Sequence, residues 1–175
     1  MEADNGLKLS TPSDREIVMI REFNATKSLV FEALTKPEIL KRWLLGPPGW
    51  TMIVCDVDLR VGGKYQHIWT NTDGTGMKMS GVYREIVPGQ RIVYTESFEY
   101  GCDSQAGEQV VTAALTEANG KTTLTTTVLF PTKEARDQTI ASGMGRGVAA
   151  GYARLADILS TETSRQGWPA SARIF

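Results

Sequence analysis

Three tight reversals in series, each set between two strand-like runs, constrain this chain more than anything else in it. Trp50–Asp58 and Lys64–Asn71 flank a turn at Arg60–Gly63, and Lys78–Val87 and Arg91–Phe98 flank Pro88-Gly89. Gln109–Glu117 and Lys121–Phe130 flank Asn119-Gly120. Asn-Gly between strand-like runs is a strong hairpin signal, because both central residues tolerate positive φ. Connections this short leave no room for crossover helices, so the strands are expected to be antiparallel. With the Ile-, Val- and Met-rich run Glu16–Phe23, seven strands are expected.

Helical signals bracket the hairpins. Asn24 or Thr26 can cap a helix over Lys27–Leu34, and Pro37 opens a second one ending near Leu44. Gly46-Pro47-Pro48-Gly49 then stops helix formation. After the last hairpin a long helix is expected over Lys133–Leu159, with Ile140, Met144, Val148, Tyr152, Leu155 and Leu159 as one apolar stripe. Gly143, Gly147 and Gly151 form a second stripe beside it. An interior glycine costs a helix about 1 kcal/mol relative to alanine. That stripe therefore points either to a close approach of helix and sheet or to room left for a ligand. Gly145 lies off that face and is a candidate kink.

The resulting expectation is an α+β fold. A seven-stranded curved antiparallel sheet wraps on a long C-terminal helix, with two short helices after the first strand. Residues 14–160 form one domain, between an N-terminal tail over 1–13 and a C-terminal tail over 161–175, in which Trp168 and Phe175 could dock on the body or on a partner. A curved sheet covered by one helix leaves a concave apolar space, the usual setting of a small-molecule site.

Composition removes several classes of function. A net charge of −1 over 175 residues lacks the basic footprint of a nucleic-acid binder. No apolar run approaches the ~18 residues of a membrane span. The N-terminus lacks the basic-then-apolar layout of a signal peptide, so a cytoplasmic location is expected. Cys55 and Cys102 are too few and too far apart for a zinc knuckle or a redox pair, and His67 is the single histidine. No metal and no cofactor is expected.

The segments REFNATKSLVFEALTKPEILKRWLLGP, DLRVGGKY, GVYREIVPGQRIVYTESFE and GVAAGYARLADIL together resemble the SRPBCC (START-like, Bet v 1-like) superfamily. Within it the chain is similar to the branch named after the C-terminal domain of the activator of heat-shock protein 90 ATPase. The resemblance covers about Arg15 to Leu159. It implies a helix-grip fold, and its branch includes chaperone activators and lipid or polyketide binders. Two departures stand out. A paired Trp-Trp is frequent before the Gly-Pro, where this chain has Trp43-Leu44, and the position of His67 is more often aromatic or aliphatic. The separate N-terminal domain of two-domain chaperone activators is not expected, which lowers the co-chaperone reading.

On the strand Lys64–Asn71, Tyr65, His67 and Trp69 share one face, which the resemblance turns toward the cavity. His67 could bond a ligand or act as a general base; equally, it could be a histidine satisfied by a neighbouring strand. Asp56 would pair with His67 across the Arg60–Gly63 turn in one register, and Cys55 in the next. Met77, Met79, Gly81 and Tyr83 alternate on the next strand, and Tyr94, Glu96 and Phe98 on the one after. Either set lines the pocket or packs the core, and an inward Glu96 would be costly unless paired.

The leading reading is binding of a small hydrophobic or amphipathic, lipid- or polyketide-like ligand. The wall would be Trp43, Trp50, Tyr65, His67, Trp69, Met79, Tyr83, Tyr94, Phe98, Met144, Gly147, Val148, Gly151 and Tyr152. The alternatives are a protein-interaction module activating a heat-shock protein 90-type chaperone ATPase, and a cyclase- or hydratase-like enzyme with His67, Asp56 or Glu96 as acid–base groups. A monomer and a homodimer both fit.

Overall fold

The hairpins fold into one antiparallel sheet in the computed structural model, which describes residues 2–3, 6–101 and 103–165. The strands are β1 Glu2–Ala3, β2 Leu7–Ser10, β3 Glu16–Phe23, β4 Trp50–Val57, β5 Lys64–Asn71, β6 Gly76–Val87, β7 Arg91–Tyr100, β8 Asp103–Ala118 and β9 Lys121–Leu129. Their order across the sheet is β1-β2-β3-β9-β8-β7-β6-β5-β4. The helices are α1 Lys27–Thr35, α2 Pro37–Trp43, α3 Lys133–Ala141 and α4 Met144–Arg165.

All seven expected strands are present, and two short ones precede them. The N-terminal segment read as a tail instead supplies β2, which pairs with β3 through Lys8↔Ile20 and Ser10↔Val18. Leu7 is buried there, and Leu9 reaches the start of α4 at Gly145. Two leucines suffice because β3 provides a ready edge to pair with. On the C-terminal side, helix continues to Arg165, and Trp168 and Phe175 lie outside the described residues, as does Cys102.

The short helices begin where the sequence suggests. Thr26 Oγ1 accepts from the Leu29 amide at 3.4 Å, and Pro37 occupies the start of α2. The single long helix is a correction. Gly143 adopts φ +82°, and its amide donates to the Ile140 carbonyl, ending α3 in a left-handed glycine turn before α4 begins. Ile140 therefore leaves the apolar stripe and is exposed, while Tyr152, Leu155 and Leu159 are buried. The break falls at Gly143 rather than Gly145.

The three glycines once read as one stripe do three different things. Gly143 makes the turn, Gly151 packs on Trp43 at 3.7 Å, and Gly147 is exposed with nothing within 4 Å of a Cβ placed there.

Curvature has a local cause in β4–β8. Register shifts interrupt the ladders at Met52/Val54, Tyr83/Glu85 and Glu96/Phe98. Between the Ser80↔Ser97 and Tyr83↔Tyr94 pairs the β6–β7 ladder opens. There the Tyr65 hydroxyl donates to the Thr95 carbonyl at 2.9 Å, and the Val82 amide donates to Thr95 Oγ1 at 3.1 Å. Gly81 makes this crossing fit, because a Cβ would lie 1.8 Å from the Thr95 oxygen and 2.9 Å from the Tyr65 ring.

Two substitutions separate these glycines. Gly81→Ala is expected to lose at least about 3 kcal/mol in chemical denaturation, because backbone rather than a movable side chain occupies the space. Gly147→Ala is expected to gain about 0.5–1 kcal/mol from helix propensity alone.

Candidate functional site

Cross-strand register decides which side chains meet under α4. Cys55↔His67↔Met79↔Phe98 runs across β4–β7, and Trp69↔Met77↔Tyr100 lies beside it. Tyr65↔Gly81 and Tyr83↔Tyr94↔Val111 continue the same face, with Glu96↔Gln109 between β7 and β8. Tyr65, His67 and Trp69 thus share the inner face, as their alternation predicts. Asp56 does not join them. It pairs with Gln66 on the outer face, so Cys55 stands opposite His67, and the Asp56–His67 pair is a correction.

Part of this face is solid. Trp43 Nε1 donates to the Ala33 carbonyl at 3.0 Å, and Trp69 Nε1 to the Leu44 carbonyl at 2.9 Å. Both indoles are buried, holding α1, α2 and the following loop against the sheet. Arg154 Nε donates to the Trp43 carbonyl at 3.1 Å, while the Tyr152 ring lies 5.9 Å from Trp43 and 5.8 Å from Phe23. These contacts pin the middle of α4. Trp43, Trp69 and Gly151 are accordingly structural supports, and exposed Gly147 stands off the packed side of the helix. Trp50 is at the sheet end, 5.8 Å from Tyr100.

The remaining face is deep yet open. Met79, Tyr94, Glu96, Phe98 and Gln109 on the sheet, with Met144 and Val148 on α4, all keep partial exposure. Tyr94 and Glu96 lie far enough inside for burial to dominate their ionisation, raising both. Both are thus deep without being fully covered. Tyr65, Tyr83 and Tyr94 form a cluster with ring centroids 5.5–6.1 Å apart, and burial raises the pKa of Tyr65 and Tyr83 as well.

Two polar side chains stand out. His67 is 5% exposed, and its Nδ1 has no hydrogen-bond partner. Burial lowers its pKa to about 4, against smaller upward pulls from the Gln66 backbone and Asp56, so the ring is neutral at pH 7. Glu96 accepts from Gln109 Nε2 at 2.6 Å. Burial pushes its carboxyl up, and the Gln109 bond only partly offsets that. Gln109 was missed in the sequence, although following Glu96 across to its neighbouring strand would have found it. So was Thr126, whose hydroxyl lies 3.5 Å from that of Tyr152.

A groove of about 440 Å³ lies on the opposite, outer face, lined by Asp56, Lys64, Gln66, Ser80, Ser97 and Glu108 around the opening in the β6–β7 ladder. It is open and mixes polar with apolar lining, Tyr65, Gly81 and Val82 included, and none of its polar side-chain atoms is buried without a partner. The inner face carries the unsatisfied chemistry. Among the described residues no group of three or more His, Cys, Asp or Glu could hold a metal ion, and no helix is long and apolar enough to cross a membrane.

Comparison with known proteins agrees with this architecture. The profile of the family described as Activator of Hsp90 ATPase homolog 1-like protein matches residues 24–160. A crystal structure of a Rhodobacter sphaeroides protein is similar at 29% identity, over 90% of this chain and 99% of that one, with a TM-score of 0.83. A Chromobacterium violaceum protein follows at 27% identity, 82% and 96% coverage and TM-score 0.67. A Nitrosomonas europaea protein at 23% identity, 88% and 99% coverage and TM-score 0.76 shares the fold. No curated protein matches the chain.

His67 yields a pH prediction. Its folded pKa lies below the unfolded value, so the unfolded chain binds the proton first. The stability tied to neutral His67 is complete above about pH 6.5 and is lost as pH falls toward about 4, to an extent on the order of 3 kcal/mol. In denaturation at neutral pH, His67→Phe is expected to match or exceed the parent, since no hydrogen bond is lost at Nδ1. Its stability should fall less steeply than the parent's between about pH 6.5 and 4.

Proposed function

Since this chain belongs to the activator of Hsp90 ATPase homolog 1-like family, we propose that the cavity between its sheet and α4 binds a small hydrophobic or amphipathic ligand. The observation that carries this reading is the inner face itself. Tyr94 and Glu96 are deep in the molecule and still partly accessible, with Met79 and Phe98 half-buried on the same face, beside a buried His67 whose Nδ1 has no partner. A packed core would close such a face and pair its polar atoms, whereas a binding site leaves both for the occupant.

Apolar contact supplies most of the affinity. Removing apolar area from water stabilises by about 25 cal/mol per Å². Methionines at 77, 79 and 144 adapt to irregular shapes, and the aromatic rings give rigid walls. Trp50, Tyr100 and Leu45 lie at the end of the sheet near Gly46 and suit an entrance, Leu45 and Tyr100 being among the exposed large apolar residues.

The test is native mass spectrometry of freshly purified protein, repeated under denaturing conditions, with the neutral fluorophore N-phenyl-1-naphthylamine as a titrated probe. Either a mass lost on denaturation or saturable probe binding is expected. Val148→Trp, which fills the space beside α4, should weaken probe binding by about tenfold or more with the circular dichroism unchanged. Unaltered binding in that variant would overturn the assignment of the site.

A further inference from the structure

Three side chains able to bind a metal stand in one row of the inner face. Cys55 on β4 is the direct cross-strand partner of His67 on β5, and His67 is that of Met79 on β6. Same-face neighbours on adjacent antiparallel strands have Cβ atoms about 4.5–5.5 Å apart. One ion with bonds of about 2.0–2.3 Å to nitrogen and sulfur can bridge side chains at that spacing. Cys55 and His67 are 7% and 5% exposed, and Met79 is half-buried.

The middle member is unsatisfied. His67 Nδ1 is buried and lacks a hydrogen-bond partner, and the Gln66 backbone acts on the ring without bonding that atom. On its own strand the ring is flanked by Tyr65 at 5.3 Å and Trp69 at 6.1 Å. Both have committed their polar atoms elsewhere, Tyr65 to the Thr95 carbonyl and Trp69 to the Leu44 carbonyl. Across the sheet the imidazole has a sulfur-bearing neighbour on either side. Cys55 Sγ lies 4.0 Å from the Pro37 carbonyl, a long contact for a weak donor.

We propose that Cys55, His67 and Met79 bind a single Cu(I) ion, with the thiolate, Nδ1 and the thioether as its ligands. The proposal is independent of the ligand-binding reading above.

Donor chemistry selects the metal. Thiolate and thioether favour Cu(I), and imidazole suits copper as well. A structural zinc site takes four Cys, His or carboxylate ligands, and among the described residues no cluster of even three such groups exists. Charge points the same way. Burial raises the pKa of the Cys55 thiol, so copper must displace its proton, which leaves to solvent as the Cu–S bond forms. Thiolate and Cu(I) are neutral together, and the copper does not change oxidation state. A divalent ion would keep a net positive charge in a buried place, a desolvation cost that the monovalent ion avoids. His67 takes part as a neutral imidazole, the form that burial already favours. Half-buried Met79 is the ligand that an arriving ion meets first.

The experiment titrates the full chain, reduced and kept free of oxygen, into the Cu(I)–bicinchoninate complex. It should withdraw one copper per chain, and X-ray absorption of the loaded protein should show sulfur and nitrogen ligands together. Cys55→Ala and His67→Phe should each weaken Cu(I) binding at least about tenfold with the circular dichroism unchanged, and Met79→Leu should weaken it by less. In copper-loaded His67→Phe the nitrogen ligand should disappear while sulfur remains, which a merely structural histidine would not produce. Cys102→Ser should bind as the parent does, and excess Zn(II) should leave the copper in place. If Cys55→Ala does not fold, His67→Phe and Met79→Leu decide the matter. Failure of the parent to withdraw copper overturns the proposal. So does binding that is lost in Cys102→Ser but kept in Cys55→Ala, parental affinity in His67→Phe or Met79→Leu, or displacement by zinc.

Discussion

The whole inner face depends on a gap in the ladder between β6 and β7. A regular sheet would carry main-chain pairs through Gly81 and Val82, but here Thr95 comes so close that no Cβ fits at Gly81. The Tyr65 hydroxyl and Thr95 Oγ1 take over the hydrogen bonds, so the irregularity is satisfied on both sides. Register shifts in the adjoining ladders add local twist, and together they bend β4–β8 around the helix. Tyr65 thereby has two tasks at once. Its ring lies over the glycine as part of the inner wall, and its hydroxyl closes the sheet beneath that wall.

The bent sheet is covered by α4, which is buried along only part of its length. The middle of α4 is fixed by Tyr152 against Phe23 and Trp43 and by Arg154 on the Trp43 carbonyl. Beyond that point Leu155 and Leu159 are buried and the packing is complete. Toward its start, Met144 and Val148 remain partly exposed, and Gly143 has already turned the chain away into α3. A continuous helix would have carried Ile140 along the same stripe; the break leaves it outside. Buried tryptophans with satisfied indoles, filled space around Leu155 and open space near Met144 are therefore consequences of one anchoring cluster.

The sequence disclosed the architecture because its signals were local. Asn119-Gly120, Pro37 and the alternation of Tyr65, His67 and Trp69 each act over a few residues, and each reappears in the structure. What it could not disclose depends on partners distant along the chain. The choice between Cys55 and Asp56 opposite His67 was set by how the Asp58–Lys64 turn closes, and a shift of one residue exchanges the faces. Four glycines between 143 and 151 offered four places for a helix break, and only tertiary packing selects Gly143. Strand β2 has too little apolar pattern to announce itself, and forms because β3 offers an edge. Glu96 was visible as an inward carboxyl, but Gln109 became its partner only through β7–β8 register.

The two faces of the sheet make the case for the inner one by their solvation. The outer groove has a clear volume, yet none of its polar side-chain atoms is buried without a partner, and Glu108 is paired with Arg84 at 3.8 Å. Water already satisfies such groups, so a ligand arriving there gains little beyond what it displaces. Inside, His67 Nδ1 is cut off from bulk solvent and unpaired, and burial raises the pKa of Glu96 despite its bond from Gln109. A buried polar atom in the condition of Nδ1 costs free energy, and a partner that supplies its missing hydrogen bond recovers it. Held neutral by burial, the His67 imidazole offers position and hydrogen-bond direction rather than charge.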